Sequence, residues 1–557
     1  MGKKVVIVGG VAGGASAAAR MRRLDEKAEI VMFERGEYIS FANCGLPYYV
    51  GGIIPKRKSL LVQTPESLFR RFNIDVRTRS EVRRILRAEK QVEVMDLRKG
   101  EMYRESYDFL VLSPGATPIV PDIPGIDLPN VFSVRNVPDS DLVKRYIEEE
   151  KPDTAVVIGG GYVGLEMADV LYQSGVEVSV VEGAPQVMGA LDPEMAAIVH
   201  HYLRRQGIGL YLGERAAALE GSYRVEKVVL ESGRVVPADM VVLATGVKPE
   251  VWLAEEAGLA LGSTGGILVD EYLRTSDPFI YAVGDAIQVK DFVTGRDVLV
   301  PLAGPANRQG RLAADNIAGR NVRYKGAQGT AIVKVIDLVV AVTGNNEKNL
   351  RKLGWDYLVC HTHPAPHATY YPGGTQMTAK LLFTPEEGKV LGAQIVGYEG
   401  VDKRIDVLAT AIRAGMTVFD LQDLELAYAP PFSSAKDPVN MLGYTAANII
   451  QKDVEVVYWD EVPRMVADGA FLLDVRTPRE VETGAVENAY NIPVDDIRDR
   501  LEEIPRDREV LAYCQVGIRS YIANRILRQQ GFRVKNISGG YKSYQGFKEA
   551  GVYRERS

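Results

Sequence analysis

Two glycine-rich stretches and two isolated cysteines are the parts of this sequence whose residue types and spacing point to chemistry. VVIVGGVAGG (5–14) and VVIGGGYVGLE (156–166) each join a β-branched run through a glycine turn to a helix-like stretch. Each is answered by an acidic residue closing a second strand-like run, Glu34 and Glu182. In such a turn the backbone approaches a pyrophosphate with no Cβ in the way, and the following helix N-terminus favours its charge. Gly159, Gly161 and Gly164 give the full G-x-G-x-x-G spacing, whereas Gly9, Gly10, Gly13 and Gly14 form a variant with Val11 at the middle position. Glu34 and Glu182 are placed to accept hydrogen bonds from a ribose diol, so two dinucleotide sites are expected. Glu182 is followed by Gly183, Ala184 and Pro185. With no arginine there to hold a 2′-phosphate, NADH is expected ahead of NADPH; if Glu182 is a solvated strand end, both serve.

Cys44, Cys360 and Cys514 are too few and too scattered for a disulfide framework, a usage that fits a reducing compartment and hence the cytoplasm. Cys514 follows an apolar run and opens the stretch C-Q-V-G-I-R, whose amides can turn inward as an anion nest closed by Arg519. Cys44, in SFANCGLPYYVGG (40–52), has no neighbouring cysteine, and a lone thiol ordinarily reads as a small buried hydrophobe. Cys360, His361, His363 and His367 invite a metal reading, but Pro364 and Pro366 keep a regular helix from gathering them, and no metal site is expected.

The elements that must position these groups fill 557 residues, enough for three to four domains at about 150 residues each. Hydrophobic residues make up 46% and charged residues 25%, which sets aside disordered, collagen-like and coiled-coil chains. The net charge is −6 without a long basic tract, so no nucleic-acid partner is expected. Lys3 and Lys4 before the apolar run imitate a signal peptide, but glycines interrupt that run and no apolar stretch of about 18 residues follows; a soluble protein without membrane contact is expected. LVLSPGATP (110–118) and VVLATGVKP (241–249) echo each other as later segments of the two nucleotide units. The glycine-turn pattern then stops, and strand-like AKLLF (379–383) and AQIVGY (393–398) precede a helical stretch at 402–415, an α+β domain. A last α/β stretch begins near Asp460.

FIYAVGDA (279–286) resembles the flavin-binding segment of the pyridine-nucleotide disulfide oxidoreductases, whose aspartate, here Asp285, bonds the ribityl chain of FAD. The order of segments resembles that family over about 1–447. The resemblance implies an α/β fold with two Rossmann-like domains for FAD and NAD(P), an α+β dimerisation domain and a homodimer. The boundaries are 1–149 with 250–322 for FAD, 150–249 for NAD(P)H, 323–447 for dimerisation and 448–459 as a linker.

Family members with a dithiol carry two cysteines four residues apart, but only Cys44 is present here. A single thiol can cycle through a sulfenic acid, as in NADH oxidases and peroxidases, or through a mixed disulfide with a small thiol. SFxNCG followed by LPYYxGG resembles coenzyme A-disulfide reductases, and Ala12 stands where the peroxidase branch has histidine. This branch implies Tyr370 and Tyr428 as hydrogen-bond donors near the partner subunit's Cys44, and coenzyme A contacts at Arg20, Arg23, Ser40, Asn43, Arg71 and Lys436. As bare residues the tyrosines read as core or interface aromatics and the arginine pair as a solvated face. Tyr162 reads as a cover over the flavin or as packing.

FLLDVRTPREVETGAVENAYNIP (471–493) and VLAYCQVGIRS (510–520) resemble a rhodanese domain over 460–557, with Asp474 and Arg476 bracing the loop. Its cysteine loop is one residue shorter than in related phosphatases, which suits a sulfur carried on Cys514. The combined expectation is an FAD-dependent NAD(P)H reductase of coenzyme A disulfide, coenzyme A persulfide or polysulfide, with sulfane sulfur carried on Cys514. The alternatives are an NADH oxidase or peroxidase using a Cys44 sulfenic acid, and a sulfur carrier or redox sensor without steady-state turnover.

Overall fold

All-parallel sheets are covered on both faces by their helical crossovers, so their strands read as nearly continuous apolar runs. The computed structural model, which describes residues 2–551, follows that rule. The final residues of the expected 460–557 domain lie outside the described residues. The chain divides into two compact units, 1–183 with 214–329, and 184–213 with 330–557.

The first unit is built around a five-stranded parallel sheet in the order Ile280–Ala282, Phe109–Leu112, Lys4–Val8, Glu29–Glu34, Asp75–Thr78. Val5, Val6 and Ile7 are buried and packed with Val31, Met32, Leu110 and Val111 in one core. A second parallel arrangement repeats the plan: Glu177–Glu182, Thr154–Ile158, Met240–Leu243 and Val131–Ser133 are neighbours in that order. The two glycine turns have the same geometry. Gly9 and Gly159 have φ of +96° and +113°, which a side chain rarely tolerates. A Cβ on Gly14 would lie 1.9 Å from the Gly9 carbonyl oxygen, and one on Gly164 would lie 2.0 Å from that of Gly159. The helices Ala12–Leu24 and Tyr162–Gln173 can therefore start directly beneath their strands.

The second unit contains two sheets. One is antiparallel, in the order Ala331–Val335, Leu338–Gly344, Val390–Gly397, Thr378–Phe383, Leu358–Thr362. The other is parallel, in the order Val456–Val457, Val534–Ile537, Val510–Tyr513, Phe471–Asp474, Tyr490–Asn491. Its cores gather Leu473, Ala512, Cys514 and Leu527 on one side and Trp459, Leu511 and Tyr513 on the other. The α/β class expected from the sequence is the class observed. Among the described residues no helix is long and apolar enough to cross a membrane.

Candidate active site

Each glycine turn ends on an acidic side chain in the same way. The Gly10 amide donates to Glu34 at 3.0 Å, and the Gly160 amide donates to Glu182 at 2.6 Å. A Cβ on Gly161 would meet nothing within 4 Å. Crowding inside the protein therefore does not demand glycine at the middle position, which is how Val11 stands there in the first turn with an ordinary φ of −96°. Asp285, in the turn Gly284–Ala286, is half-buried, has no hydrogen-bond partner among the described residues, and is pushed up in pKa by burial. Tyr162 opens its helix, and burial pushes its phenol up to about 12. The absence of an arginine beside Glu182 holds only along the chain: Arg215 folds back over Gly183, where an added Cβ would lie 3.1 Å from its Cγ and 3.2 Å from its Nε.

Cys44 sits in the turn Asn43–Gly45 before the helix Leu46–Val50. Backbone bonds fix its loop to both sides: Ser40 donates to the Gly10 carbonyl at 2.8 Å, and Ala42 to Leu60 at 2.9 Å. Ser40 has φ of +46°. The thiol is free and exposed, as is Asn43. Its pKa is raised first by desolvation, then by the Glu166 carboxylate and Asp285. Glu166 lies on Tyr162–Gln173 and accepts a hydrogen bond from Tyr48 at 3.2 Å. Neither Glu166 nor Tyr48 was singled out from the sequence, although an acidic residue inside an apolar helix directly after a glycine turn is a usable signal. Removing a like charge near a half-enclosed thiol favours the thiolate. Glu166→Gln is therefore expected to speed iodoacetamide alkylation of Cys44 at pH 8 by about a few-fold; an unchanged rate counts against this coupling.

The expected coenzyme A residues are distributed unevenly. Arg20 turns inward, its Nε and Nη2 donating to Asp315 at 3.0 and 2.7 Å, while Arg23, one turn on, is exposed. Arg71 is exposed near the end of Pro65–Phe72. Lys436 is exposed in the second unit, where the hydroxyls of Tyr370 and Tyr428 meet at 2.8 Å on the surface.

Cys514 is buried at the mouth of its loop, with the Gly517 amide 3.1 Å and the Ser520 hydroxyl 3.6 Å from its Sγ. Gly517 has φ of +106°, which turns its amide inward. Arg519 closes the loop, but Glu480 grips its guanidinium at 2.7 and 2.6 Å. That grip pulls the Glu480 carboxyl down to about 2. Asp474 and Arg476 form a buried pair at 2.6 Å, and Arg476 reaches Gln515 of the loop at 3.4 Å. Nothing in the sequence marks Glu480, because its partner Arg519 lies on a separate element.

The imidazoles of the C-H-T-H-P-A-P-H segment are each engaged in protein hydrogen bonds, His361 with Glu194 and Ser538, His363 with Thr378, Gly539 and Ser543, His367 with the Ala368 carbonyl. Three carboxylates close enough to share a cation, Asp192, Glu194 and Glu347, surround the ammonium of Lys380.

Residues 3–310 match the family described as pyridine nucleotide-disulphide oxidoreductase, and 330–439 match its dimerisation domain. The chain belongs to this family of oxidoreductases. A rhodanese-like domain matches residues 459–546. A NAD(P)H sulfur oxidoreductase (CoA-dependent) of Pyrococcus furiosus is 39% identical over 79% of this chain and 98% of its own length. The solved structure of reduced Bacillus anthracis CoADR-RHD is 53% identical and superposes with a TM-score of 0.97, covering 99% of each chain. That of a NAD-dependent persulfide reductase from A. fulgidus is 39% identical with a TM-score of 0.91, covering 97% of this chain and 100% of the other. The family uses FAD and NAD(P)H. The residues present fit both: the second glycine turn leaves open space at Gly161, each turn is closed by a carboxylate, Glu34 or Glu182, and the Asp285 carboxyl offers a further acceptor.

Proposed function

We propose that the protein is an FAD-dependent NAD(P)H reductase of coenzyme A disulfide and of coenzyme A persulfide or polysulfide, working through Cys44, with sulfane sulfur carried on Cys514. The observation that carries this reading is an exposed single thiol, Cys44, whose loop is bonded to the first glycine turn while the other two cysteines are buried in the other unit. The relatives' names, CoA-dependent sulfur oxidoreductase and persulfide reductase, support it.

In this reading the Gly9–Gly14 turn, Glu34 and Asp285 hold FAD, and the Gly159–Gly164 turn with Glu182 holds the nicotinamide cofactor. Bound FAD supplies the two-electron relay between NAD(P)H and the sulfur at Cys44. With coenzyme A disulfide or persulfide, Cys44 Sγ attacks the sulfur bonded to coenzyme A and keeps it as a mixed disulfide while the other sulfur leaves as thiolate or hydrosulfide and takes a proton. With polysulfide it keeps one sulfur as a persulfide, and in each case two electrons from NAD(P)H then break the bond at Cys44 and release the retained sulfur. Tyr370 and Tyr428, contributed across a homodimer, donate hydrogen bonds to that leaving sulfur. Desolvation, Glu166 and Asp285 all disfavour the Cys44 thiolate. Ser40, Asn43, Arg20, Arg23, Arg71 and Lys436 receive coenzyme A, with Arg20 sharing its charge with Asp315. Glu182 favours NADH, and Arg215 beside it offers a cation for the 2′-phosphate of NADPH.

At the other end, the Gly517 amide and the Ser520 hydroxyl stabilise a persulfide anion on Cys514. The division of labour follows 1–149 with 250–322 for FAD, 150–249 for NAD(P)H, 323–447 for dimerisation, 448–459 as linker and 460–557 for sulfur carriage. The unpaired cysteines support a cytoplasmic site of action. The test compares NADH oxidation driven by coenzyme A disulfide or polysulfide with that driven by oxygen or peroxide. Faster sulfur-driven turnover is expected, and faster oxygen or peroxide turnover would overturn the reading in favour of a sulfenic acid.

A further inference from the structure

Two histidines that the reductase chemistry does not use stand directly behind the Cys514 loop. His361 and His363 lie at the end of Leu358–Thr362, an edge strand of the antiparallel sheet, and both are buried. The His361 ring meets Glu194 at 3.2 Å through Nε2 and Ser538 at 3.3 Å through Nδ1. His363 Nε2 lies 3.0 Å from the Gly539 carbonyl oxygen and 3.1 Å from the Ser543 hydroxyl, and its Nδ1 lies 3.0 Å from Thr378 Oγ1. A carbonyl can only accept, so Nε2 carries the proton and Nδ1 accepts from Thr378. Burial, together with Lys542 and His361, keeps the ring neutral by lowering its pKa well below the ordinary range.

The turn these rings hold is the one that holds the sulfur loop. Gly539 and Gly540 have φ of +73° and +59° and start the helix Gly540–Glu549. Tyr541 and Lys542 donate their amides to the carbonyls of Cys514 and Gln515 at 2.7 and 3.0 Å. A Cβ on Gly540 would lie 2.4 Å from the Cys514 carbonyl oxygen, and one on Gly539 would lie 3.1 Å from the His361 Cβ. The glycine pair is thus pressed between the imidazoles on one side and the first two residues of the cysteine loop on the other. The anchor extends further, because Glu194 also accepts from Lys380, the cross-strand partner of His361.

We propose that His361 and His363 are positioning residues for sulfur transfer at Cys514: by fixing the Ser538–Gly539 turn from the dimerisation sheet, they set the register of the loop whose Gly517 amide faces the sulfur. The inference rests on the reading of Cys514 as a sulfur carrier. In the assay reaction the Cys514 thiolate attacks the outer sulfur of thiosulfate, and sulfite leaves with the electron pair of the broken bond. Cyanide then takes that sulfur as thiocyanate and returns the thiolate. A misplaced cradle loses charge stabilisation in the transition state more than it loses substrate binding.

The test measures thiosulfate–cyanide sulfur transfer in the full-length flavoprotein and its His363→Ala, His363→Gln and Ser538→Ala variants, with flavin content and thermal midpoint as measures of the fold. His363→Ala is expected to lower kcat roughly tenfold or more with KM for thiosulfate little changed. His363→Gln, whose amide can still donate to the Gly539 carbonyl, is expected to recover most of it. If the alanine variant loses flavin or melts early, Ser538→Ala decides by the same split between kcat and KM. Wild-type kcat in a well-folded His363→Ala, or equal losses in the alanine and glutamine variants, would overturn the positioning role alone. If the wild-type chain transfers no more sulfur than Cys514→Ser, the carrier reading itself falls, and the positioning role with it.

Discussion

Replacing Cys44 with serine is expected to lower NADH-dependent reduction of coenzyme A disulfide by on the order of a thousandfold or more, with the flavin still bound. A hydroxyl of the same shape cannot accept a sulfur and release it again, so the loss falls on turnover and not on assembly. The loop should survive, because backbone bonds from Ser40 to Gly10 and from Ala42 to Leu60 hold it, and neither involves the thiol. The Cys44 side chain is exposed, so serine adds no buried polar group. Stopped-flow NADH oxidation and the flavin absorption spectrum give the two readings. Retained turnover with a normal spectrum would remove Cys44 from the chemistry.

Lys380→Met is expected to cost about 3–5 kcal/mol of stability at neutral pH, because it strips the counter-charge from three buried or half-buried carboxylates. Lys380 is fully buried, with Asp192 at 2.8 Å, Glu347 at 2.5 Å and Glu194 closer still. Burial pushes the glutamate pKa values up, but the ammonium overcomes it and both Glu194 and Glu347 lie below the ordinary range. A depressed carboxyl contributes stability above its unfolded pKa of about 4.3 and loses it as the pH falls through the folded value. Lys380 itself is raised well above the usual lysine range by the same carboxylates, against burial. Its contribution is present below the unfolded lysine pKa and fades only as the pH rises through the folded one. In the methionine variant the carboxylates must take up protons to stay buried. The gap in thermal midpoint between variant and wild type should therefore narrow from pH 8 to pH 5. A gap that is small or independent of pH would mean that the cluster is solvated in solution.

What the sequence made legible was local. Strand, glycine turn, helix and acidic strand end lie within about thirty residues of one another, so the two units and their closing carboxylates were legible from spacing, although the bonds from Gly10 to Glu34 and from Gly160 to Glu182 were not. The cysteine loop from Cys514 to Arg519 is likewise continuous, as is the strand-to-helix turn that forms it. The β-branched runs before each glycine turn likewise read as buried strands, and they lie inside parallel sheets.

What stayed hidden was charge meeting charge across elements. Arg20 and Arg23 look alike on one helix, yet Asp315 turns one of them inward. Arg215 returns to Gly183 after a helix and a strand, which removes the sequence ground for expecting no cation near Glu182. Glu480 reaches Arg519, and Glu166 reaches Tyr48, through folding alone. The prolines of the histidine segment were legible as breaks in a helix, but the turn at Ser538–Gly539 that the rings grip lies far along the chain.

The most direct test of the central claim is the intact mass of the purified, unreduced protein, followed by peptide mapping. One coenzyme A per chain, located on the peptide containing Cys44 and released by dithiothreitol, is the predicted result. A Cys44 found as a sulfenic acid, trapped by dimedone with no coenzyme A on any peptide, would contradict it.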